Sequence, residues 1–227
     1  MTTFVLVHGA WHGPWAWDRI VPLLHAAGAR TVTPELGAST GHGLHDHAES
    51  VVTALDAVRD DDVVLVGHSY AGLVVREAAD ARPDAVGHVV LVDGWAGPDG
   101  TSLLGLAPDT TVQALLGAAG DGRAIPAPPP AAYGVTDPDD VAWLAPRLIP
   151  QPLRSFAETT RLSGAVDRIP GTAVWCRPQV YPFDRFGAAI GYRTLALDAP
   201  HDVMLTHPEA LAGVLLGVQE REARSLG

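Results

Sequence analysis

The stretch Val64-Leu65-Val66-Gly67-His68-Ser69-Tyr70-Ala71-Gly72-Leu73-Val74 joins a strand directly to a helix. Its first three residues belong to a continuous apolar run, which is typical of a buried parallel strand. Gly67 and Ala71, two positions from Ser69 on either side, are small enough to let strand and helix approach closely. A serine at such a turn is held in a strained backbone conformation with its hydroxyl above the sheet. We therefore predict that Ser69 is a nucleophile rather than an ordinary helix cap.

Strand-like and helix-like segments alternate along most of the chain. Helical spacing is found at Trp17–Ala27, Asp46–Val58, Ala71–Ala81 and Pro208–Val218. The short apolar runs between them, which we predict as strands, are Phe4–Val7, Thr31–Thr33, Val63–Val66, Val89–Val92, Thr172–Trp175 and Thr194–Leu197. This alternation predicts an α/β fold with a doubly wound, mostly parallel sheet.

The alternation breaks between about Gly94 and Pro170, where prolines are frequent. Short helices are predicted there at Thr110–Ala119, Asp139–Leu144 and Leu153–Leu162, each bounded by proline or glycine. Both ends of this stretch lead into consecutive strands. We therefore predict a small helical cap, residues 95–169, inserted into a core of residues 1–94 and 170–227.

The composition excludes several classes of function. The 227 residues carry a net charge of −11, and all 15 basic residues are arginine. This acidic balance disfavours nucleic acid as a partner, since phosphate binding needs a surplus of Lys and Arg. The absence of lysine excludes P-loop and Schiff-base chemistry, and a single cysteine, Cys176, excludes a disulfide framework.

The beginning of the chain and its apolar runs bear on location. Residues 1–7 have no basic region of the kind that precedes a secretory signal. No apolar run approaches the ~20 residues that a membrane-spanning helix needs. We expect a cytoplasmic protein of one large domain that does not associate with membranes.

A nucleophilic serine needs oxyanion donors and a base. The first strand leads into His8-Gly9-Ala10-Trp11, and a His-Gly turn can aim the Ala10 amide at Ser69. The Tyr70 amide, at the head of the following helix, is the second expected donor. The base is expected on the loop after the last strand, where His201 lies.

The other histidines are given less reactive roles. His207 precedes Pro208 at a helix start, where a surface or capping role is expected. His42, His45 and His47 are close together in a Gly-rich sequence, but they lack ligand spacing on one helix face, and we interpret them as solvated loop residues. The mechanism needs no metal and no organic cofactor.

These segments resemble the α/β-hydrolase superfamily. More narrowly, the run from Val7 to Trp17 is similar to its methylesterase/hydroxynitrile-lyase branch, which includes bacterial EstC-like esterases. The resemblance covers both ends of the chain and the serine turn. It implies an α/β-hydrolase fold, with Ser69 as nucleophile, His201 as base, and the Ala10 and Tyr70 amides as the oxyanion hole.

The sequence leaves open which acidic residue orients the base. In this family it usually lies in the loop after the penultimate strand, but here Gln179 stands roughly in its place. Asp184 comes late in that loop. Asp93 ends the preceding strand, and a carboxylate at the C-terminal end of a parallel strand faces the site crevice. We favour Asp93 over Asp184, and a Ser-His dyad without an acid is the third possibility.

The substrate is expected to be a small molecule with a planar, apolar or aromatic group. We expect its pocket to be lined by Trp11, His12, Trp95, Trp143 and Phe156. The alternative is that these rings only pack the cap on the core.

The predicted function is hydrolysis of an ester or thioester through an acyl-enzyme. Hydroxynitrile lyases of this branch carry a Lys after the catalytic His, where this chain has Asp202, so lyase activity is disfavoured. Two alternatives stay open. The altered acid loop favours a biosynthetic enzyme for cyclisation or C–C cleavage, in which His201 moves protons. A non-catalytic small-molecule receptor is disfavoured by the presence of both Ser69 and His201.

Overall fold

A parallel sheet forms the centre of the computed structural model, which describes residues 1–58, 62–120 and 123–225. In chain order the strands are β1 (Thr2–Val7), β2 (Arg30–Val32), β3 (Asp62–His68), β4 (His88–Val92), β5 (Ala124–Ile125), β6 (Gln151–Pro152), β7 (Gly171–Arg177) and β8 (Arg193–Asp198). The sheet has the order β2-β1-β3-β4-β7-β8, and β5 and β6 pair separately. Every pairing in the six-stranded sheet is parallel. The predicted α/β class and all six predicted strands are confirmed.

The helices flank both faces of this sheet. They are α1 (Val21–Ala26), α2 (Leu44–Ala57), α3 (Ala71–Ala81), α4 (Leu103–Leu106), α5 (Asp109–Ala119), α6 (Pro138–Leu144), α7 (Leu153–Ala157), α8 (Phe183–Ala189), α9 (Val203–Thr206) and α10 (Pro208–Ser225). Successive residues of β1 point to opposite faces: Val5 and Val7 pack with α2 and α3, whereas Phe4 and Leu6 pack with α1 and α10. Continuous apolar strands are needed because both faces of the sheet are covered.

Four helices differ clearly from their predicted bounds. Helix α2 begins at Leu44 and not at Asp46, and α10 runs on to Ser225 and not only to Val218. The helix predicted at Trp17–Ala27 is a 3-10 turn, Pro14–Trp17, followed by α1, whose first turn contains Pro22. Helix α7 ends at Ala157, although the prediction ran to Leu162. Beyond it, the amides of Arg161 and Leu162 donate to Glu77 Oε2 and Asp99 Oδ1. These carboxylates replace the helical carbonyls as acceptors, and the chain runs extended.

The strand order determines where a crevice opens. From β1 the chain turns to one side to form β2 and then crosses to β3 on the other side. Ligands bind in such sheets at the carboxyl ends of the strands where the order reverses, here β1 and β3. The segment 95–169 leaves after β4 and returns at β7, its neighbour in the sheet. Its division from the core as a cap stays a prediction. In the described ranges no helix is long and apolar enough to cross a membrane.

Candidate active site

Ser69 lies at the turn between β3 and α3 with a φ of +54°, a left-handed conformation that is rare for residues other than glycine. The neighbouring strand holds it there. The Ser69 amide donates to the Val92 carbonyl at 3.0 Å, and the Ser69 carbonyl accepts from the Trp95 amide at 3.0 Å. The hydroxyl is therefore presented at the carboxyl end of the sheet by contacts on both sides of the serine.

Two glycines allow the close packing around Ser69. A Cβ on Gly67 would lie 2.7 Å from the Ala71 carbonyl oxygen, and one on Gly9 would lie 3.1 Å from the Ser69 Cβ. The first glycine lets β3 meet α3, and the second lets the turn after β1 reach the serine. A larger residue at Gly67 would push β3 and α3 apart, and one at Gly9 would push the turn after β1 away from Ser69.

His201 stands between Ser69 and a buried carboxylate. The Ser69 hydroxyl donates to His201 Nε2 at 3.1 Å, and His201 Nδ1 donates to Asp93 Oδ2 at 2.9 Å. Asp93 is only 1% exposed, and its other oxygen accepts from the Cys176 amide at 2.7 Å. Since a carboxylate only accepts, Asp93 sets the His201 tautomer that leaves Nε2 free to take the serine proton.

The structure places Asp184 away from this chain of contacts. Asp184 is in the first turn of α8, where its Oδ1 accepts from the Gln179 side chain at 2.8 Å. Gln179, which stands roughly where the family usually has its acid, and Asp184, the later candidate, are thus hydrogen-bonded to one another. Of the two carboxylates considered from the sequence, Asp93 is the one that contacts His201.

The turn after β1 is hydrogen-bonded to the segment 95–169 through Trp11. Trp11, with a φ of +64°, donates its amide to Gln151 Oε1 at 3.2 Å and its indole N–H to the Ile125 carbonyl at 3.0 Å. Its own carbonyl accepts from the Ile149 amide at 2.9 Å. The Ala10 and Tyr70 amides, by contrast, donate to no protein acceptor within the described ranges. Both residues line the cavity beside Ser69, so these amides can face an oxyanion.

A cavity of about 570 Å³ opens above Ser69 and His201. From the sheet side it is lined by Ala10, Trp11, Tyr70 and Trp95. Helix α5 contributes Thr110, Thr111, Ala114, Leu115 and Ala118. Further lining residues are Leu103, Ile125, Tyr133, Phe156, Val180 and Tyr181, together with residues 126–128 and 132. Apart from His201, these described lining residues include no Asp, Glu, Arg or His, so the cavity suits an uncharged molecule.

The aromatic residues predicted for the pocket divide into two groups. Trp11, Trp95 and Phe156 line the cavity. His12 does not; it is buried and hydrogen-bonded to Ala10 and Asp202. Trp143 packs instead against Trp15, with ring centroids 5.5 Å apart, and lies under the Arg147 guanidinium.

Sequence reasoning missed Tyr133, Tyr181 and the whole wall formed by α5. Tyr181 follows the carboxyl end of β7, and that position was itself a signal, because residues just after parallel strands face the crevice. Its ring contacts Trp95 with centroids 4.7 Å apart. No comparable signal pointed to α5, whose approach to the cavity depends on how the segment 95–169 folds back.

Two of the three histidines near residue 45, His45 and His47, lie on helix α2 and not in a solvated loop, which corrects the sequence interpretation; His42 does lie in the loop before this helix. Helix α2 begins at Leu44, because the Gly43 amide donates to Asp46 Oδ2 at 2.7 Å and so caps the helix. His47 is buried and accepts from the Tyr70 hydroxyl at 2.9 Å, and burial lowers the pKa of His47 to about 4. His45 pairs with Glu77 of α3. In the described part of the chain, no three His, Cys, Asp or Glu residues are arranged to hold a metal ion.

The small residues of α5 predict a limit on substrate size. Ala114→Phe places a ring in the cavity and should lower kcat/KM for p-nitrophenyl benzoate about 10- to 100-fold relative to p-nitrophenyl acetate. The same exchange at Gln113, an exposed neighbour on α5 that does not line the cavity, is the matched control. An equal loss with both esters would contradict this role for the α5 wall.

We compared the chain with known protein families and with individual proteins, and the matches are to hydrolases and esterases. The model of the Alpha/beta hydrolase family matches residues 4–214. The chain is 32% identical to a carbendazim hydrolyzing esterase of Nocardioides sp., over 93% of this chain and 97% of the relative. It is 39% identical to methylesterase 2 of Arabidopsis thaliana over 40% of this chain and 39% of that protein.

Two solved structures have the same fold at low sequence identity. An extracellular alpha/beta-hydrolase from a Paenibacillus species superposes with a TM-score of 0.86 at 22% identity, covering 96% of this chain and 98% of the other. The methylesterase MES16 from Arabidopsis gives a TM-score of 0.80 at 21% identity, covering 97% of this chain and 99% of the other.

Proposed function

Because the chain belongs to the alpha/beta hydrolase family and is an ester-hydrolysing enzyme, we propose that it cleaves its substrate with Ser69, His201 and Asp93. One observation carries this proposal. The Ser69 hydroxyl, the His201 ring and the Asp93 carboxylate form an unbroken series of hydrogen bonds of 3.1 and 2.9 Å at the floor of the cavity. A nucleophile, a base and an orienting acid in this arrangement are what acyl transfer needs.

The reaction proceeds in two halves. Ser69 Oγ attacks the ester carbonyl while His201 Nε2 takes its proton, and the Ala10 and Tyr70 amides bind the oxyanion that forms. His201 then returns the proton to the departing alcohol, which leaves an acyl-enzyme on Ser69. In the second half, His201 removes a proton from water and the hydroxide adds to the acyl carbon. His201 then gives that proton to Ser69 Oγ as the acyl–oxygen bond breaks, and the carboxylic acid departs.

Asp93 supports the cationic form of His201 in both halves. Its carboxylate is buried and has both oxygens occupied, one by His201 and one by the Cys176 amide. A carboxylate fixed in this way orients the ring and stabilises the imidazolium without taking the proton itself.

The substrate that suits this cavity is a neutral ester of a small apolar or aromatic compound. Trp11, Trp95 and Phe156 offer ring faces, and no cationic side chain lies among the described lining residues. We favour an ester over a thioester, because the usual biological thioester carriers bear phosphates that need cationic partners. The names of the relatives agree with this class: one is named for carbendazim hydrolysis and others are named methylesterases.

We rank the two alternatives from the sequence below ester hydrolysis. Cyclisation or C–C cleavage was favoured by the altered acid loop, but Asp93 provides from β4 the carboxylate that the loop after β7 lacks. A receptor has no physical need for a serine hydroxyl aligned on a histidine.

A fluorophosphonate probe tests this proposal without knowledge of the substrate. We expect the probe to label Ser69, because its phosphorus is attacked by an activated serine hydroxyl. Ser69→Ala should abolish labelling, whereas Ser50→Ala, at a half-buried serine of α2 that does not line the cavity, should leave it unchanged. Mass spectrometry of the intact protein measures the adduct, and peptide mapping locates it. A folded wild-type protein that stays unlabelled would overturn the proposal.

A further inference from the structure

A buried pair of charges lies beside the proposed catalytic groups and takes no part in the mechanism above. Asp202 follows His201 in the chain, and His12 lies two residues after Ala10. His12 Nε2 donates to Asp202 Oδ2 at 3.0 Å, and His12 Nδ1 donates to the Ala10 carbonyl at 2.8 Å. The two side chains are only 2% and 1% exposed. The pair therefore sits in the interior, directly between the turn after β1 and the loop after β8.

The partners of His12 define its charge. A backbone carbonyl and a carboxylate can only accept hydrogen bonds, so both ring nitrogens of His12 must carry protons. Burial alone would lower the pKa of His12, but the Asp202 carboxylate outweighs it and the pKa is raised. Burial likewise opposes the ionised form of Asp202, yet His12 lowers the pKa of that carboxyl below its usual value. The pair is an imidazolium and a carboxylate.

The His12 ring spans two loops that must be in register for acyl transfer. On one side it holds the carbonyl of Ala10, the residue whose amide is the proposed oxyanion donor. On the other side it holds the carboxylate of Asp202, the residue that follows the proposed base His201. Two further contacts fix the same base loop: the Asp202 amide donates to the Tyr133 carbonyl at 3.1 Å, and His68 Nε2 donates to the His201 carbonyl at 3.0 Å. The rings of Tyr133 and His68 also pack against His12, with centroids 5.2 and 6.2 Å from its own, but in the described ranges neither side chain makes a hydrogen bond to the turn after β1.

A purely stabilising role would not need this chemistry. Burying two charges costs desolvation free energy, and apolar residues of similar volume often serve stability as well or better. Asp202 Oδ1 is also buried without a hydrogen-bond partner, which adds to the cost. A rigid ring with two opposed N–H donors, in contrast, fixes the distance between its two acceptors.

We propose that His12 and Asp202 are positioning residues, which hold the Ala10 turn and the His201 loop at the separation that lets Ser69 attack while its oxyanion is bound. The inference rests on the proposed function of Ser69 and His201. Neither residue touches the substrate cavity. Their effect is on the step that needs both loops, the chemical step, rather than on substrate binding.

The first test is Asp202→Asn, which keeps the shape of the side chain and removes its charge. With p-nitrophenyl acetate we expect kcat to fall about 100-fold, since an error of about 1 Å in the catalytic geometry costs that much, while KM changes less than about threefold. The matched control is Glu77→Gln, which breaks a second imidazole–carboxylate pair, with His45, at 2.5 Å between α2 and α3. We expect the control to lose thermal stability and to keep kcat within about twofold.

The double variant His12→Gln/Asp202→Asn separates positioning from stability. It leaves no unpaired buried charge, so it should melt at a higher temperature than the Asp202→Asn variant and serves where that variant does not fold. The flexible Gln side chain cannot hold both acceptors as the ring does. We therefore expect kcat, expressed per fluorophosphonate-reactive Ser69, to stay at least about tenfold below the wild type although stability recovers.

The charge state is measured separately by ¹⁵N NMR of histidine-labelled protein. At pH ~7, above the usual histidine pKa, His12 should still show two protonated ring nitrogens, and the signal should vanish in His12→Gln. Wild-type kcat in either Asp202 variant, or a neutral His12, would overturn the inference. A wild-type protein that does not react with the probe contradicts the proposed function itself. A reactive wild type with an equally active Asp202→Asn variant contradicts only the positioning role.

Discussion

Replacing His201 with Gln should lower kcat/KM for a p-nitrophenyl ester by about 10⁶-fold, the loss seen when the base of a serine hydrolase is removed. His201 Nε2 accepts from the Ser69 hydroxyl at 3.1 Å, and the amide of a glutamine at this position cannot take that proton at neutral pH. Steady-state hydrolysis and fluorophosphonate labelling of Ser69 measure the loss, and both should fall together.

His207→Gln is the matched control for this prediction. His207 is an exposed histidine just beyond α9, and its ring contacts the Thr206 side chain. We expect hydrolysis in this variant to stay within about twofold of the wild type, as for most surface substitutions. If the two histidine variants lost activity equally, His201 would not be the base.

The second large effect is expected for Asp93→Asn, with a loss of about 10⁴-fold in kcat. The amide can keep the shape of the carboxylate, but its N–H₂ group would face His201 Nδ1 or the Cys176 amide, both of which donate to Asp93 in the native protein. The His201 ring is then driven to the tautomer that carries its proton on Nε2, where it cannot accept from Ser69.

Asp184→Asn distinguishes the two carboxylates. Asp184 accepts from Gln179 at 2.8 Å on α8 and has no contact with His201, so its loss should leave kcat within about threefold of the wild type. Parallel kcat measurements on both variants, with circular dichroism to confirm folding, decide the matter. Equal and small effects would indicate a Ser-His dyad in which neither carboxylate orients the base.

The elements of the sheet could be predicted because their signals are local. Continuous apolar runs such as Val63–Val66 are short enough to read directly, and the helix at Ala71–Ala81 has the same bounds in the structure as in the prediction. Predicted bounds were wrong where a side chain supplied an acceptor or a cap that propensity does not include. Asp46 starts α2 early in this way, and Glu77 draws the Arg161 amide out of a helix.

The residues that line the cavity could be predicted only in part, because the direction of a loop side chain depends on partners far away in the sequence. Trp95 lies three residues after the end of β4 and Trp11 four residues after the end of β1, in loops that parallel-sheet geometry directs toward the crevice. His12 is one residue further on, and its ring turns inward to Asp202, a partner 190 positions away. Whether a side chain at such a position faces the cavity or the interior depends on that distant partner.

The sequence by itself determined the parallel α/β sheet, the serine turn and the residues available for acid-base chemistry, because a turn between a buried strand and a helix is encoded within about ten residues. It left open which carboxylate meets His201. Only the tertiary structure placed Asp93 there, across 108 positions of the chain, because β4 lies next to β7 in the sheet and both strands end beneath the His201 loop. Strand order is a property of the whole packed chain, and it brings together side chains that no local pattern connects.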